Sequence, residues 1–202
     1  MNIQPSTPYM IEFLGTPEAG KTSVIHQLKK ELSKSFSVEI IRESAEIVPE
    51  IIPKGSIEAH FWMKYRTLTK LLEAKFCTEY DVILIDRGIV DSMVWNQYYY
   101  SIKAISREIL EICNAFFTHS GVPNPDQIVY LTTTPEEAIK RRGGEGRIVT
   151  YRFVSHFNNI VNSFMQQYSQ PFFKLDTTNL TKQEKFDIVL SEITKNLQLP
   201  YL

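Results

Sequence analysis

Eight residues near the start of the chain have the types and spacing of a phosphate-binding loop. Residues 15–22 read GTPEAGKT, which fits the pattern GxxxxGK(S/T). In such a loop successive backbone N–H groups turn inward around phosphate oxygens, and glycine accepts the backbone angles that this requires. The pattern predicts that Lys21 reaches the β- and γ-phosphates and that the Thr22 hydroxyl binds Mg²⁺. We expect this stretch to bind a nucleoside triphosphate through Gly15, Thr16, Pro17, Glu18, Ala19, Gly20, Lys21, Thr22 and Ser23.

Two carboxylates follow short apolar runs and are expected at the ends of strands. Residues 38–41 (VEII) lead into Glu43, and residues 81–85 (DVILI) lead into Asp86. Ligands of open parallel sheets bind at the carboxyl ends of the strands, where both side chains would then lie. A carboxylate beside the phosphate-binding loop can hold Mg²⁺, so Asp86 is predicted to share the ion with Thr22. For Glu43 the alternative is a surface salt bridge to a neighbouring basic residue.

A third group of charged residues lies at 140–147, which read KRRGGEGR. Three arginines around a flexible glycine cluster are typical of a lid that closes over phosphates, with the glycines absorbing the backbone change. We expect a lid at about residues 141–149, in which Arg141, Arg142 or Arg147 neutralises phosphate charge. The alternative is a solvated helix end, where the helix dipole favours arginine.

Strand-like and helix-like segments alternate along the chain, which indicates an α/β fold. Apolar runs predict strands that begin at Tyr9 and cover residues 38–41, 81–85, 127–131 and 172–176. Helical periodicity predicts helices after the loop, at about 57–75, within 89–117 as one or two, after Thr134, at about 150–169 and from Thr181 onward. One domain over residues 1–202 is sufficient for a chain of this length.

The composition of the 202-residue chain limits the classes of partner. Lys and Arg total 22 while Asp and Glu total 23, so no overall field recruits nucleic acid or an anionic membrane. No run approaches the roughly 18 apolar residues of a membrane helix, and the N-terminus lacks the features of a signal peptide. Cys77 and Cys113 have no partner at metal-ligand spacing and are expected to be buried free thiols. We therefore expect a soluble cytoplasmic protein that binds neither nucleic acid nor membrane.

Taken together, these residues resemble the thymidylate kinase and deoxynucleoside kinase group of P-loop kinases. The resemblance rests on the P-loop, Arg42-Glu43-Ser44 after strand two, Asp86-Arg87 after strand three, the pair Asp91-Ser92, the arginine-rich segment, and Arg66 on the helix before strand three. It implies a P-loop NTPase three-layer sandwich, with a five-stranded parallel sheet in the order 2-3-1-4-5 and helices on both faces. It also implies ATP as phosphoryl donor and Mg²⁺ as its metal.

The departures from the thymidylate kinase pattern fall mainly in the acceptor-binding region. Gly88 stands where those enzymes have an aromatic residue, Ser44 replaces their proline, and Asp91 lies one residue further from Asp86. Glu18 sits one place from the acidic residue of their P-loop. The phosphate-binding residues keep the pattern, so ATP binding follows from the resemblance more directly than thymidylate specificity does.

The resemblance implies in-line transfer of the γ-phosphoryl group of ATP, and two types of acceptor remain open. Arg66 and Arg87 would hold an anionic acceptor such as a nucleotide phosphate. A neutral nucleoside would need a general base, and Glu43 matches the glutamate with this role in deoxynucleoside kinases. Trp62 is a candidate for stacking on a base, with a place in the core as the alternative. The substrate-binding candidates are therefore Arg42, Glu43, Trp62, Arg66, Arg87 and Asp91.

A second hypothesis is a P-loop ATPase that acts as a nucleotide-dependent switch, or a kinase of another small metabolite. The altered acceptor region and the aromatic stretch from Trp95 to Tyr100, which could form an interface, favour the switch. The acid after strand two, the Asp-Arg pair and the basic lid together favour the kinase. A homodimer through the helices that flank strand three is left open.

Overall fold

A computed structural model describes residues 7–146 and 148–197 of the 202-residue chain. Its strands are β1 (Tyr9–Gly15), β2 (Val38–Ile41), β3 (Val82–Asp86), β4 (Gln127–Thr132) and β5 (Phe173–Asp176). Its α-helices are α1 (Lys21–Leu32), α2 (Ile57–Lys75), α3 (Ile89–Ser101), α4 (Arg107–Phe117), α5 (Pro135–Arg142), α6 (Tyr151–Gln167) and α7 (Lys182–Asn196). A short 3-10 helix, Ser44–Ile47, follows β2. The strands agree with the predicted segments to within one residue at either end.

The five strands form a parallel sheet in the order β2-β3-β1-β4-β5, which confirms the predicted topology. β1 is the central strand and pairs with β3 along one edge and β4 along the other. In this register Phe13 lies beside Asp86 and Gly15 beside Leu131. The loop that follows β1 is therefore placed next to the residues that follow β3 and β4.

Side chains of each strand alternate between the two faces of the sheet, and helices cover both faces. Phe13 of β1 lies in a buried cluster to which α1 and α7 contribute. Its neighbour Leu14 points to the other face and lies in a cluster with residues of α2, α3 and α6. A sheet covered on both sides explains why β3 is continuously apolar before its last residue. The predicted three-layer arrangement is confirmed.

Side-chain caps fix where several helices begin. Thr181 and Glu184 form a reciprocal capping box at the start of α7. The segment 89–117 forms two helices because the Ser106 side chain accepts a hydrogen bond from the Ile109 N–H group and starts α4. At 19 residues α2 is the longest described helix. No helix within the described ranges has both the length and the apolar composition needed to cross a membrane.

Cys77 and Cys113 are free thiols, as predicted, but neither is fully buried. Cys77 lies just beyond the last turn of α2, and Cys113 lies on α4. α4 buries only Leu110 and Phe117, so most of its surface, including one side of Cys113, stays in contact with solvent. The predicted burial of both thiols is therefore wrong, because an apolar neighbourhood in sequence does not place a residue on the buried side of a helix.

Candidate active site

The P-loop joins the carboxyl end of β1 to the first turn of α1, as its pattern predicts. Gly15 and Gly20 have φ angles of 130° and 92°, conformations that favour glycine. A Cβ on Gly15 would also overlap the carbonyl oxygen of Leu131 on β4. The positive φ angles therefore explain the glycine at both positions, and the short distance between Gly15 and Leu131 is a second reason at Gly15.

Lys21 is buried beside the loop that it follows. Its Nζ donates hydrogen bonds to the carbonyl oxygens of Gly15 at 3.0 Å and Thr16 at 2.8 Å. Burial, reinforced by the charge of Arg87, lowers the pKa of Lys21 to about 8. Because these hydrogen bonds go to neutral carbonyl groups, the charge of the ammonium group remains available to an anion that enters the loop.

The structure brings Thr22 and Asp86 together, the two residues predicted to share Mg²⁺. Thr22 Oγ1 donates a 2.7 Å hydrogen bond to Asp86 Oδ2. Asp86 is buried at the end of β3, and its Oδ1 has no hydrogen-bond partner among the residues that the structure describes. An unpaired, buried carboxylate oxygen beside a hydroxyl is a donor set that suits Mg²⁺, which prefers oxygen ligands.

Arg87, the residue after β3, forms ion pairs with two carboxylates, one on Glu43 after β2 and one on Asp91 of α3. Its Nε lies 2.8 Å from Oε1 of Glu43, an ion pair that lacks the alignment of a hydrogen bond, and its Nη1 lies 3.2 Å from Oδ1 of Asp91. Burial disfavours the charge of Arg87, but the neighbouring carboxylates outweigh it and raise the pKa of the guanidinium group. The φ of Arg87 is 65°, a strained conformation of the kind that clusters at functional sites.

Glu12 supports this network from β1 and did not stand out in the sequence. Its Oε1 accepts a 2.8 Å hydrogen bond from the backbone N–H of Asp91, and its Oε2 accepts one of 3.2 Å from that of Val90. These N–H groups belong to the first turn of α3, so Glu12 caps that helix from another element. Burial outweighs these hydrogen bonds and raises the pKa of Glu12 to about 7. A lone acid in the apolar strand YMIEFLG was the available signal.

Two neighbouring cavities meet at Glu43 and Arg87. The P-loop cavity, of about 540 Å³, is lined by residues of the loop and the start of α1 together with Arg142. The aromatic cavity, of about 260 Å³, has Tyr98 and Tyr99 in its wall. Both cavities share Glu43, Arg87, Trp95, Ile148 and Phe153. The site can therefore hold a phosphate compound in one cavity and a flat apolar molecule in the other, with two charged side chains between them.

Three predicted substrate-binding residues lie outside the aromatic cavity. The guanidinium carbon of Arg66 lies over the ring of Trp62, 5.6 Å from its centre. Arg42 and Arg66 line a separate groove between β2 and α2. Trp62 and Arg66 are four residues apart and so share one face of α2, which is not the face that borders the aromatic cavity. The structure thus does not bring Trp62 to the position of a stacking residue, and Trp95 of α3 forms that part of the cavity wall.

The arginines predicted to form a lid have different surroundings. Arg141 Nη1 donates to the carbonyl oxygen of Glu18 at 3.2 Å and to Thr177 Oγ1 at 3.1 Å, so it joins the P-loop to the loop after β5. In this structure Arg141 joins the two loops and does not line the P-loop cavity, and its role at the phosphates stays a prediction. Arg142 lines that cavity and forms an ion pair of 3.2 Å with Glu18. Arg147 lies outside the described residues.

A buried polar cluster next to the aromatic cavity also escaped the sequence-based prediction. His60 Nε2 lies 3.0 Å from Asn96 Oδ1, and Asn96 Nδ2 donates to Asn114 Oδ1 at 2.8 Å. Lys64 lies one turn further along α2, is buried, and lines the same cavity. A histidine and a lysine at i, i+4 spacing, which places them on one face of α2, were the signal that could have indicated it.

No protein family model and no curated protein matches this chain. Deoxyadenosine kinase from M. mycoides with dCMP and a flexible dCDP bound matches at a TM-score of 0.74 and 20% identity, over 92% of this chain and 99% of that chain. The same enzyme with dATP bound gives a TM-score of 0.72 at 20% identity, with the same coverage. Thymidylate kinase from Candida albicans gives 0.70 at 16% identity, over 94% of this chain and 92% of that chain. At these identities the likeness shows the fold, and this chain has the fold of the deoxynucleoside and thymidylate kinases, as the resemblance of its motifs implies.

Proposed function

We propose that this protein is a phosphotransferase that moves the γ-phosphoryl group of ATP to a nucleoside or nucleotide acceptor. The observation that carries the proposal is the position of Glu43 and Arg87 on the common wall of the P-loop cavity and the aromatic cavity. A phosphoryl donor in the first cavity and an acceptor in the second would meet at these side chains. Phosphoryl transfer depends on positioning and charge neutralisation, and this arrangement provides both.

The P-loop side provides the groups that bind the donor. Lys21 and the loop amides hold the β- and γ-phosphates, and the positive end of the α1 dipole points at them. Thr22 and Asp86 would hold Mg²⁺, which neutralises charge on the phosphate oxygens when it is bound. Arg142 would exchange Glu18 for a phosphate, because a half-exposed ion pair contributes little stability and phosphate binds arginine in a bidentate manner.

On the acceptor side, Glu43 is the carboxylate that would receive the proton of the acceptor hydroxyl, because it lines both cavities. With a neutral nucleoside, the hydroxyl oxygen bonds to phosphorus, its proton passes to Glu43, and ADP leaves. Arg87 holds the Glu43 carboxylate in place through their 2.8 Å ion pair. With a nucleoside monophosphate, Arg87 is the cation that meets the acceptor phosphate.

The similar solved structures support an acceptor of the nucleoside type. One is a deoxyadenosine kinase seen with dCMP and dCDP, with dATP and with dCTP, and another is a thymidylate kinase. In this chain the aromatic cavity is walled by Trp95, Tyr98, Tyr99 and Phe153. Aromatic faces bind bases by stacking, so such a wall suits a nucleobase.

The proposal is tested by measuring Mg·ATP consumption against nucleosides, nucleoside monophosphates and small hydroxylated metabolites. We expect turnover with one acceptor class. With a nucleoside acceptor, Glu43→Gln should slow turnover roughly 10²- to 10⁴-fold, because an amide cannot accept the hydroxyl proton. Glu39→Gln changes a partly exposed carboxylate on β2, the strand that leads into Glu43, and should leave turnover unchanged. Slow hydrolysis that is indifferent to every acceptor would contradict the proposal.

The alternative function is a nucleotide-dependent ATPase switch that binds a partner protein. The outer face of α4 favours it, since Ile112 and Phe116 are 62% and 48% exposed. Clustered apolar side chains on a surface are typical of protein contacts, and a second copy of this chain would also suit them. ATP hydrolysis without any acceptor, together with an oligomeric state that changes with the bound nucleotide, would support this alternative.

A further inference from the structure

Lys64 is a buried cation that forms no salt bridge with any carboxylate among the described residues. It lies on α2 in the wall of the aromatic cavity, and 3% of its surface is exposed. Its Nζ has no hydrogen-bond partner among residues 7–146 and 148–197. Its Nζ lies 5.4 Å from the ring centre of Phe61 and 5.5 Å from that of Phe117, and the Cys113 side chain lies close enough to interact with its charge. Contact with ring faces compensates only part of the cost of burying an ammonium group.

The other cation of the cavity, Arg87, shows how a buried charge is normally compensated. Two carboxylates, Glu43 and Asp91, lie within 3.2 Å of its guanidinium nitrogens. Lys64 has no such partner, and burial lowers the pKa of its ammonium group to about 8, so it is still mainly protonated at pH 7. A protonated lysine without a counter-charge is destabilising unless a ligand supplies an acceptor.

His60, the polar neighbour of Lys64 on α2, adds no second charge to this end of the cavity. Asn96 Nδ2 donates to Asn114, so Asn96 Oδ1 is left to accept from Nε2–H of His60. Burial and the nearby Lys64 lower the pKa of His60 to about 3, and the ring is therefore neutral. The hydrogen-bond donors available to a ligand at this end of the cavity are therefore chiefly those of Lys64, whose ammonium group has three N–H donors and no acceptor.

Lys64 and Glu43 both line the aromatic cavity, and the contacts of α2 place them apart along the helix. The hydroxyl oxygen of Thr67 on α2 lies 3.2 Å from the hydroxyl oxygen of Ser44, which is the residue after Glu43. Lys64 is three residues further from this contact, about 4.5 Å along the helix axis. With the acceptor hydroxyl at Glu43, the opposite end of the molecule, its base, would lie along α2 toward Lys64.

We propose that Lys64 binds a carbonyl oxygen on the edge of the acceptor base and so selects keto nucleobases over amino nucleobases. The inference rests on the proposed function. Guanine and thymine present an oxygen, O6 or O4, at the position where adenine and cytosine present an NH₂ donor. An ammonium group donates to the former and repels the latter. The flexible four-carbon stem of lysine lets Nζ turn from the rings of Phe61 and Phe117 toward such an oxygen.

The test compares matched acceptors that differ at this position: deoxyguanosine with deoxyadenosine, and thymidine with deoxycytidine, each as nucleoside and as monophosphate. We expect wild-type kcat/KM to favour the keto member of each pair by roughly 10- to 100-fold, as expected for one hydrogen bond to a charged group. Lys64→Met should abolish this ratio and lower activity with the keto member. Lys70→Met, on the exposed side of the same helix, should leave the ratio unchanged.

Thermal unfolding of both variants separates recognition from stability. Lys64→Met removes an unpaired buried charge, so it should unfold at or above the wild-type temperature while losing selectivity. Equal use of keto and amino acceptors by the wild type, or a ratio unchanged in Lys64→Met, would overturn the role of Lys64 and leave the kinase proposal intact. Absence of turnover with every nucleoside and nucleotide would overturn both.

Discussion

Gly88 lies directly against the carboxylate of Glu12, so that a Cβ at position 88 would overlap Oε2 of that residue. The contact brings the start of α3 down onto β1, and it lets Glu12 accept hydrogen bonds from two backbone N–H groups of α3. It also explains a departure from the thymidylate kinase pattern, which has an aromatic residue at this place. A buried acid on β1 and a side chain at position 88 exclude each other.

We expect Gly88→Ala to lower the free energy of unfolding by about 1–3 kcal/mol, the usual cost of overpacking a closed site. Urea unfolding followed by circular dichroism measures the change. The double variant Glu12→Ala/Gly88→Ala removes the carboxylate and should lose less stability than the sum of the single variants. Simple additivity would show that the two residues do not compete for space.

The stability of the protein should depend on pH through Glu12. Its pKa is raised from 4.5 to about 7, so the native protein holds a proton that the unfolded chain releases between these values. The contribution of Glu12 is therefore favourable at low pH and is lost as pH rises from about 4.5 to 7. The free energy of unfolding, measured by urea unfolding at a series of pH values, should fall less steeply between pH 4.5 and 7 in Glu12→Gln than in the wild type. Equal slopes in the two proteins would contradict the assignment.

Replacement of Lys21 by alanine should cost about 3–4 kcal/mol of transition-state stabilisation, seen as a 10²- to 10³-fold fall in kcat. The variant also loses two hydrogen bonds to the P-loop carbonyls. Thermal unfolding is therefore measured beside steady-state kinetics. Lys30→Ala, an exposed lysine of the same helix, serves as the control. A folded Lys21→Ala protein with near-normal kcat would remove Lys21 from the transition state.

Arg141 and Arg142 should give opposite results although they are neighbours. Arg141 is 21% exposed and bonds to Glu18 and Thr177, so Arg141→Ala should destabilise the protein by about 1–3 kcal/mol. Arg142 is 41% exposed with one ion pair, so Arg142→Ala should change stability by less than about 1 kcal/mol and slow turnover. Chemical unfolding and kcat are compared for both. Equal effects of the two substitutions on both quantities would contradict the separation of an anchor from a phosphate-binding residue.

The sequence predicted those parts of the site that follow from strand ends. Once β1 and β3 are recognised as adjacent parallel strands, Thr22 and Asp86 have to lie near each other, and they are joined by a 2.7 Å hydrogen bond. The same reasoning placed Glu43 at this edge of the sheet, but its ion pair with Arg87 was not predicted. Strand and cap signals are local, so the helices and strands could be predicted from them, whereas the strand order 2-3-1-4-5 was implied by the resemblance to the kinase family.

The residues of α2 show why the remainder of the site was not predictable. Its buried face includes His60, Lys64 and Thr67, so polar residues occur on both sides and the hydrophobic pattern does not fix the rotation of the helix. Arg66 was a candidate through the resemblance and Trp62 as an aromatic residue, and the pattern of α2 could not show that both lie away from the aromatic cavity. The contact between Arg141 and Thr177 was not predictable for another reason, because the two residues are 36 positions apart in sequence.

The central position of β1 has a consequence for synthesis of the protein. β1 is made first, but its second edge is covered only when β4, Gln127–Thr132, has left the ribosome. At the usual rate of translation this interval is on the order of 10 s. For that time the nascent chain carries an apolar strand with an open edge, the kind of segment that aggregates or recruits chaperones. Slow codons before β4 would lengthen that exposure, and the yield of folded protein should fall accordingly.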